Sequence, residues 1–133
     1  MATIKSYTSP EQSKALAKIL PIESADMWWA EIYAGKVLEN GLYIVEENPV
    51  YYPSFSKPSY DNYSQDRIKD IPCWSLAALL SVVHCPSLHK IYSGWRCDSY
   101  DEERNLFKYG EEANNQIDAV YEMVLKLHEL KML

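Results

Sequence analysis

The chain is short of the residues from which most site chemistries are built. Among its 133 residues are four glycines, three cysteines and three histidines. Gly35, Gly41, Gly94 and Gly110 stand far apart, so no glycine-rich loop can cradle a phosphate. Cys73, Cys85 and Cys97 form an odd, sparse set, which argues against a disulfide-stapled secreted fold and for a reducing cytoplasm. Positive charge is scarce too: 13 Lys and Arg face 19 Asp and Glu, a formal net charge of -6. Nucleic-acid binders displace counterions with a basic stripe, and anionic membranes attract the same charge. Both partners are therefore disfavoured. The longest apolar run, Ile71 to Val83, is broken by Ser75 and Ser81 and falls short of the ~18–20 residues that span a bilayer. Met1 to Tyr7 lacks the basic lead and apolar stretch of a signal peptide.

What is present is bulk. Apolar residues make up 47% of the chain, and it holds eleven Tyr and four Trp. That suffices for a sizeable core in a single domain covering 1–133, since domains cluster near ~100–150 residues.

Ser9-Pro10-Glu11-Gln12 has the form of a capping box with Pro at the first helical position. Ala15, Leu16, Ile19 and Leu20 follow at helical spacing and Pro21 stops the run, which predicts a helix over about 10–20. From Ala25 the period changes: Met27, Trp28, Trp29, Ile32 and Tyr33 are bulky and suit a strand, and Asn40-Gly41 signals a hairpin leading into Leu42 to Val45. Residues 48–69 differ in kind. Pro49, Pro53 and Pro58 punctuate them, with Tyr51, Tyr52, Phe55, Tyr60 and Tyr63 between, so they read as a loop or insertion. Within it, Val50 to Tyr52 could form a short edge strand.

Asp70 as cap and Pro72 at the first helical position predict a second helix running to Val83, apolar on nearly all sides and central to the core. Leu88 to Tyr100 alternates as a strand, with Asn105 to Tyr109 as its partner across a turn at 98–104. A last helix begins near Asn114 or Asn115, carrying Ile117, Val120, Val124 and Leu127 on one face. The expected fold is α+β, in the order α-β-β-α-β-β-α, with an antiparallel sheet of about four strands packed against three helices. Its core would hold Leu16, Leu20, Trp28, Ile44, Trp74, Leu76, Leu79, Leu80, Val83, Ile91, Val120, Val124 and Leu127.

Thr8 to Trp29 (TSPEQSKALAKILPIESADMWW), Ile71 to Val83 (IPCWSLAALLSVV) and Tyr121 to Leu133 (YEMVLKLHELKML) together frame most of the chain. In these stretches it resembles a group of small uncharacterised proteins of Bacteroides-type gut anaerobes and their mobile elements or phages. That group brings no activity, cofactor or catalytic residue with it. The Tyr-rich segment lies outside the shared pattern.

Chemistry has few footholds. Cys73 would sit in the first turn of the second helix, where the dipole lowers a thiol's pKa. His84, at the far end of that helix ~16 Å away, cannot serve it, which leaves His89 or His128. The competing reading is a buried cysteine beside Trp74. His84, Cys85, His89 and Cys97 are metal-ligand types within fourteen positions, yet match no common zinc spacing. The acidic clusters at 46–47, 98–103 and 111–112 read as solvated surface. No catalytic residue and no cofactor is assigned. Tyrosine combines a large apolar body with a polar tip and is enriched at interaction hot spots. Tyr51, Tyr52, Phe55, Tyr60 and Tyr63 are thus the candidate binding residues, for a protein partner or for self-association. A non-enzymatic interaction module accessory to a mobile element is the leading expectation. A thiol- or metal-dependent enzyme using Cys73 or His84, Cys85 and His89 is the alternative. A phage-type inhibitor mimicking an acidic nucleic-acid surface ranks below both.

Overall fold

A computed structural model of the chain describes residues 5–45, 47–55, 67–101 and 106–133, with backbone alone at 67, 68, 101 and 106–109. The fold is α+β. In chain order the elements are α1 (Pro10–Ala17), β1 (Met27–Tyr33), β2 (Gly35–Val37), β3 (Tyr43–Val45), β4 (Val50–Ser54), β5 (Arg67–Cys73), α2 (Leu76–Val82), β6 (Pro86–Ile91), β7 (Gly94–Asp101), β8 (Leu106–Ala113) and α3 (Gln116–Glu129). Among the described residues no helix is long and apolar enough to cross a membrane.

The helix starts follow local chemistry. Ser9 Oγ accepts from the Gln12 amide at 3.2 Å while the Ser9 amide donates to Gln12 Oε1 at 3.1 Å. Asn115 Oδ1 caps α3 by accepting from the Asp118 amide at 2.9 Å. The first and third helices are also tied together. Asp118 Oδ1 accepts from Lys5 Nζ at 2.8 Å and from Gln12 Nε2 at 2.7 Å, and its Oδ2 accepts from Asn115 Nδ2 at 2.8 Å. Burial alone would raise the Asp118 pKa, but these three donors outweigh it and hold the carboxyl below its ordinary range.

The strands depart from the expected single sheet of about four. Among the described residues eight strands form three antiparallel sheets: β4-β1-β5, β2-β3 and β6-β7-β8. The strand at Met27–Tyr33 does not pair with the one after Asn40-Gly41. Instead β1 is central, with Ile32 opposite Val50 on one side and Met27 opposite Cys73 on the other. The Asn-Gly turn, with Gly41 at φ 81°, closes its own ribbon of β2 and β3. Val50 to Tyr52 does lie in an edge strand, as its residues suggest.

The second helix also begins later than Pro72. Residues 70–73 finish β5, where Pro72 is tolerated because β5 is an edge strand. Asp70 is therefore no cap, and its buried Oδ1 has no hydrogen-bond partner among the described residues. Ser75 caps α2, accepting from the Ala78 amide at 3.2 Å, and is itself braced by Asp26. Leu88 to Tyr100 is not one strand but most of a hairpin, turning at Tyr92 and Ser93. Gly94 there has φ 148°, and a Cβ on it would run into the Ala113 carbonyl, so glycine is required.

The main core joins α1, α2, β7 and α3, and α3 rather than α2 is the most enclosed helix. Ile117, Ala119, Val120, Met123, Val124 and Leu127 are buried along it, packed with Leu16, Leu20, Trp74, Leu79, Val83 and Cys97. A second cluster holds Met27, Trp29, Ile71 and Cys73. Of the expected core, Trp28, Leu76, Leu80 and Ile91 are only partly buried and Ile44 is exposed. Trp29 takes the inward position on β1 that Trp28 was expected to hold.

Candidate interaction site

Successive side chains on a strand point to opposite faces, and β4 divides its tyrosines accordingly. Tyr51 turns inward beneath α1. Its hydroxyl donates to Glu31 Oε2 at 2.8 Å and accepts from Lys14 Nζ at 3.0 Å. Lys14 Nζ also lies 2.7 Å from Glu31 Oε2. The Tyr51 ring meets Trp29 edge-on at 6.3 Å, and Trp29 meets Tyr7 likewise at 5.5 Å.

Glu31 is the centre of this clamp. Its side chain is 4% exposed and that of Lys14 is 47% exposed. Burial pushes the Glu31 pKa up, but hydrogen bonds from Lys14, Tyr51 and Tyr33 outweigh that penalty and hold it below the usual range. The same bond to Glu31, helped by Tyr51, raises the Lys14 pKa. Tyr51 is thus a strut between α1 and the sheet rather than a free contact.

Tyr52 points the other way and is 55% exposed, with Val50 beside it on the same face. Phe55, one residue past the strand end, is 82% exposed. Tyr60 and Tyr63 lie outside the described residues. The structure therefore offers Val50 and Tyr52 on the outer face of a strand that Tyr51 pins from behind, with Phe55 exposed just past the strand end.

The sulfur and imidazole groups lie elsewhere. Cys73 ends β5 and is fully buried, so the helix-terminus activation expected for it does not arise. Its thiol donates to the Thr8 carbonyl and accepts from Thr8 Oγ1, both at 3.6 Å. Burial is the largest influence on it and raises its pKa. Iodoacetamide at pH 7 is expected to modify native Cys73 on the order of 100-fold more slowly than the urea-unfolded chain. Equal rates, read by peptide mass spectrometry, would refute this burial.

Cys97 faces the main core from β7, opposite Leu88, and burial there pushes its thiol up to about 12. His89 pairs with Arg96 on the other face of the same sheet, so strand alternation separates the two. His84 is exposed and Cys85 is half-buried with φ 42°, both in the link between α2 and β6. Among the described residues no group of three or more His, Cys, Asp or Glu is placed to hold a metal ion.

The outer face of β6-β7-β8 instead carries an ion-pair ladder that the sequence reading missed. Arg96 donates from Nε to Asp98 Oδ1 at 2.9 Å and from Nη1 to Glu112 Oε1 at 3.2 Å. His89 Nδ1 lies 3.8 Å from Asp98 Oδ2. The guanidinium fills the space a side chain on Gly110 would take. Only the pairing register, with Arg96 between His89 and Glu112, reveals this grouping. Comparison with known protein families, curated proteins and solved structures gives no match.

Proposed function

We propose that the chain is a small non-enzymatic protein-interaction module, working in the cytoplasm as an accessory of a mobile element. It meets a protein partner through Val50 and Tyr52 on β4 and the exposed Phe55 beyond its end. The observation that carries this reading is the pairing of two exposed aromatics with a rigid mount: Tyr52 and Phe55 are mostly exposed, while Tyr51, directly before Tyr52, is anchored to Glu31 and Lys14. Aromatic side chains bury ~150–250 Å² each and lose little entropy when already fixed. The net charge of -6 favours a protein over a nucleic acid. The thiol route has weaker support, because Cys73 is hydrogen-bonded to the hydroxyl and the carbonyl of Thr8 rather than to an imidazole.

Photo-crosslinking inside the host cell tests the reading. With benzoylphenylalanine in place of Tyr52 or Phe55, one discrete adduct with a single protein is expected. Placed at Tyr92, which is fully exposed on the β6-β7 turn, the same probe is expected to give none. Adducts only from position 92, or a smear without a dominant species from 52 and 55, would overturn the proposal.

A further inference from the structure

Asn40 is the single asparagine of the chain followed by glycine. Asn48, Asn62, Asn105, Asn114 and Asn115 precede Pro, Tyr, Leu, Asn and Gln. The distinction is chemical. A backbone nitrogen can attack the side-chain amide carbon of the asparagine before it. A side chain on the attacking residue hinders that approach, and glycine has none. Proline has no N–H to give up.

The turn between β2 and β3 holds this pair in the open. Every residue from Lys36 to Ile44 is exposed, and a Cβ on Gly41 would meet nothing within 4 Å. Two hydrogen bonds act on the reacting atoms in opposite senses. The Gly41 N–H donates to the Leu38 carbonyl at 2.9 Å, which ties up the nucleophile. The Leu42 N–H donates to Asn40 Oδ1 at 3.1 Å. That second bond closes a ring around the Gly41 peptide, keeps the side chain folded back along it, and puts a donor on the oxygen that becomes the oxyanion. The first bond is a weak lock. It stands in water between strands of three residues each, and breaking one such bond slows a reaction by about tenfold.

We infer that Asn40 is a site of spontaneous covalent modification in the folded chain, passing through a cyclic imide to aspartate and isoaspartate. The Gly41 amide gives its proton to solvent, and its nitrogen forms a bond to Asn40 Cγ. The Cγ–Nδ2 bond then breaks, Nδ2 leaves as ammonia, and a succinimide ring is closed. Water opens that ring in one of two ways. Addition at Cγ breaks the new bond and leaves aspartate. Addition at the Asn40 backbone carbon breaks the old peptide bond and leaves isoaspartate. Either product adds a negative charge beside Glu39. Isoaspartate also threads a methylene into the main chain between Leu38 and Leu42, whose amide and carbonyl pair at 2.8 Å to close the turn. The ribbon thus carries its own clock. The reaction needs no partner, so it stands or falls apart from the interaction reading.

Incubating the full chain near pH 7, native and in guanidinium chloride, with peptide mass spectrometry at intervals, tests the site. Asn40 is expected to convert before any other asparagine, and in the native chain at a rate within about tenfold of the unfolded one. Isoaspartate is expected among the products, read by methyl transfer from labelled S-adenosylmethionine with an isoaspartyl carboxyl methyltransferase. Gly41→Ala in guanidinium chloride, where folding plays no part, is expected to slow the conversion. A native rate more than about tenfold below the unfolded rate would mean that the turn seals the pair, and overturns the inference. So does another asparagine converting first, a Gly41→Ala chain that converts as fast as the parent, or aspartate formed without isoaspartate.

Discussion

Replacing Trp74 by alanine is expected to cost about 3–5 kcal/mol, a large share of the ~5–15 kcal/mol by which a domain of this size is stable. Trp74 is fully buried where α1, α2 and α3 meet. Its indole Nε1 donates to Ser24 Oγ at 3.0 Å, and its amide donates to Thr8 Oγ1 at 3.1 Å. Alanine keeps the amide bond but leaves a cavity that helices on several sides cannot close together. Trp74→Phe fills most of that space and loses the indole donor, so its expected cost is smaller, about 1–2 kcal/mol. Urea unfolding followed by far-ultraviolet circular dichroism measures both. A loss below ~1 kcal/mol for the alanine variant would mean that the site collapses freely and that Trp74 is not the centre of the core.

Lys14→Met is expected to destabilise the chain by about 1–3 kcal/mol at pH 7. The variant leaves the buried Glu31 carboxylate with its tyrosine donors but no cation. Breaking a fully buried pair costs more, but Lys14 is half in water and screening discounts its share. The pH dependence gives the claim a second, sharper test. Glu31 in the folded chain is held below its ordinary pKa. It therefore contributes stability above the unfolded carboxylate pKa of ~4.3, and that contribution drains away as pH falls through the folded value. Once Glu31 is protonated, neither chain gains from a lysine at 14. The gap between wild type and Lys14→Met should be widest near pH 7 and narrow toward pH 3. A gap independent of pH would show that the Lys14 charge does not act through the Glu31 carboxylate.

The helix starts were legible because capping is local. Ser9 with Gln12, and Asn115 with Asp118, sit three residues apart and act on their own backbone. The start of α2 was not, because proline looks alike at a first helical position and on an edge strand. What places Pro72 in β5 is its pairing with Trp28, a contact no window around residue 72 contains. In the same way, even alternation through Leu88 to Tyr100 hid the turn at Tyr92 and Ser93. The choice between Trp28 and Trp29 depended on a register set by β4 and β5. Of the candidate binding residues, Tyr52 and Phe55 are exposed. The inward lock on Tyr51 was not legible, since Glu31 and Lys14 lie 20 and 37 positions away. The separation of His89 from Cys97 became visible only once both were seated on a paired sheet.

The Asp118 carboxylate binds the opening of the first helix and the opening of the last into a single knot. Gln12, which closes the cap of α1, spends its amide nitrogen on that carboxylate, and Asn115, which caps α3, does the same. Lys5, ahead of α1, is fastened to it across 113 positions. In acid, where Asp118 gains a proton, the two helices should begin to fray in concert rather than one by one, and the front of the chain should come loose with them.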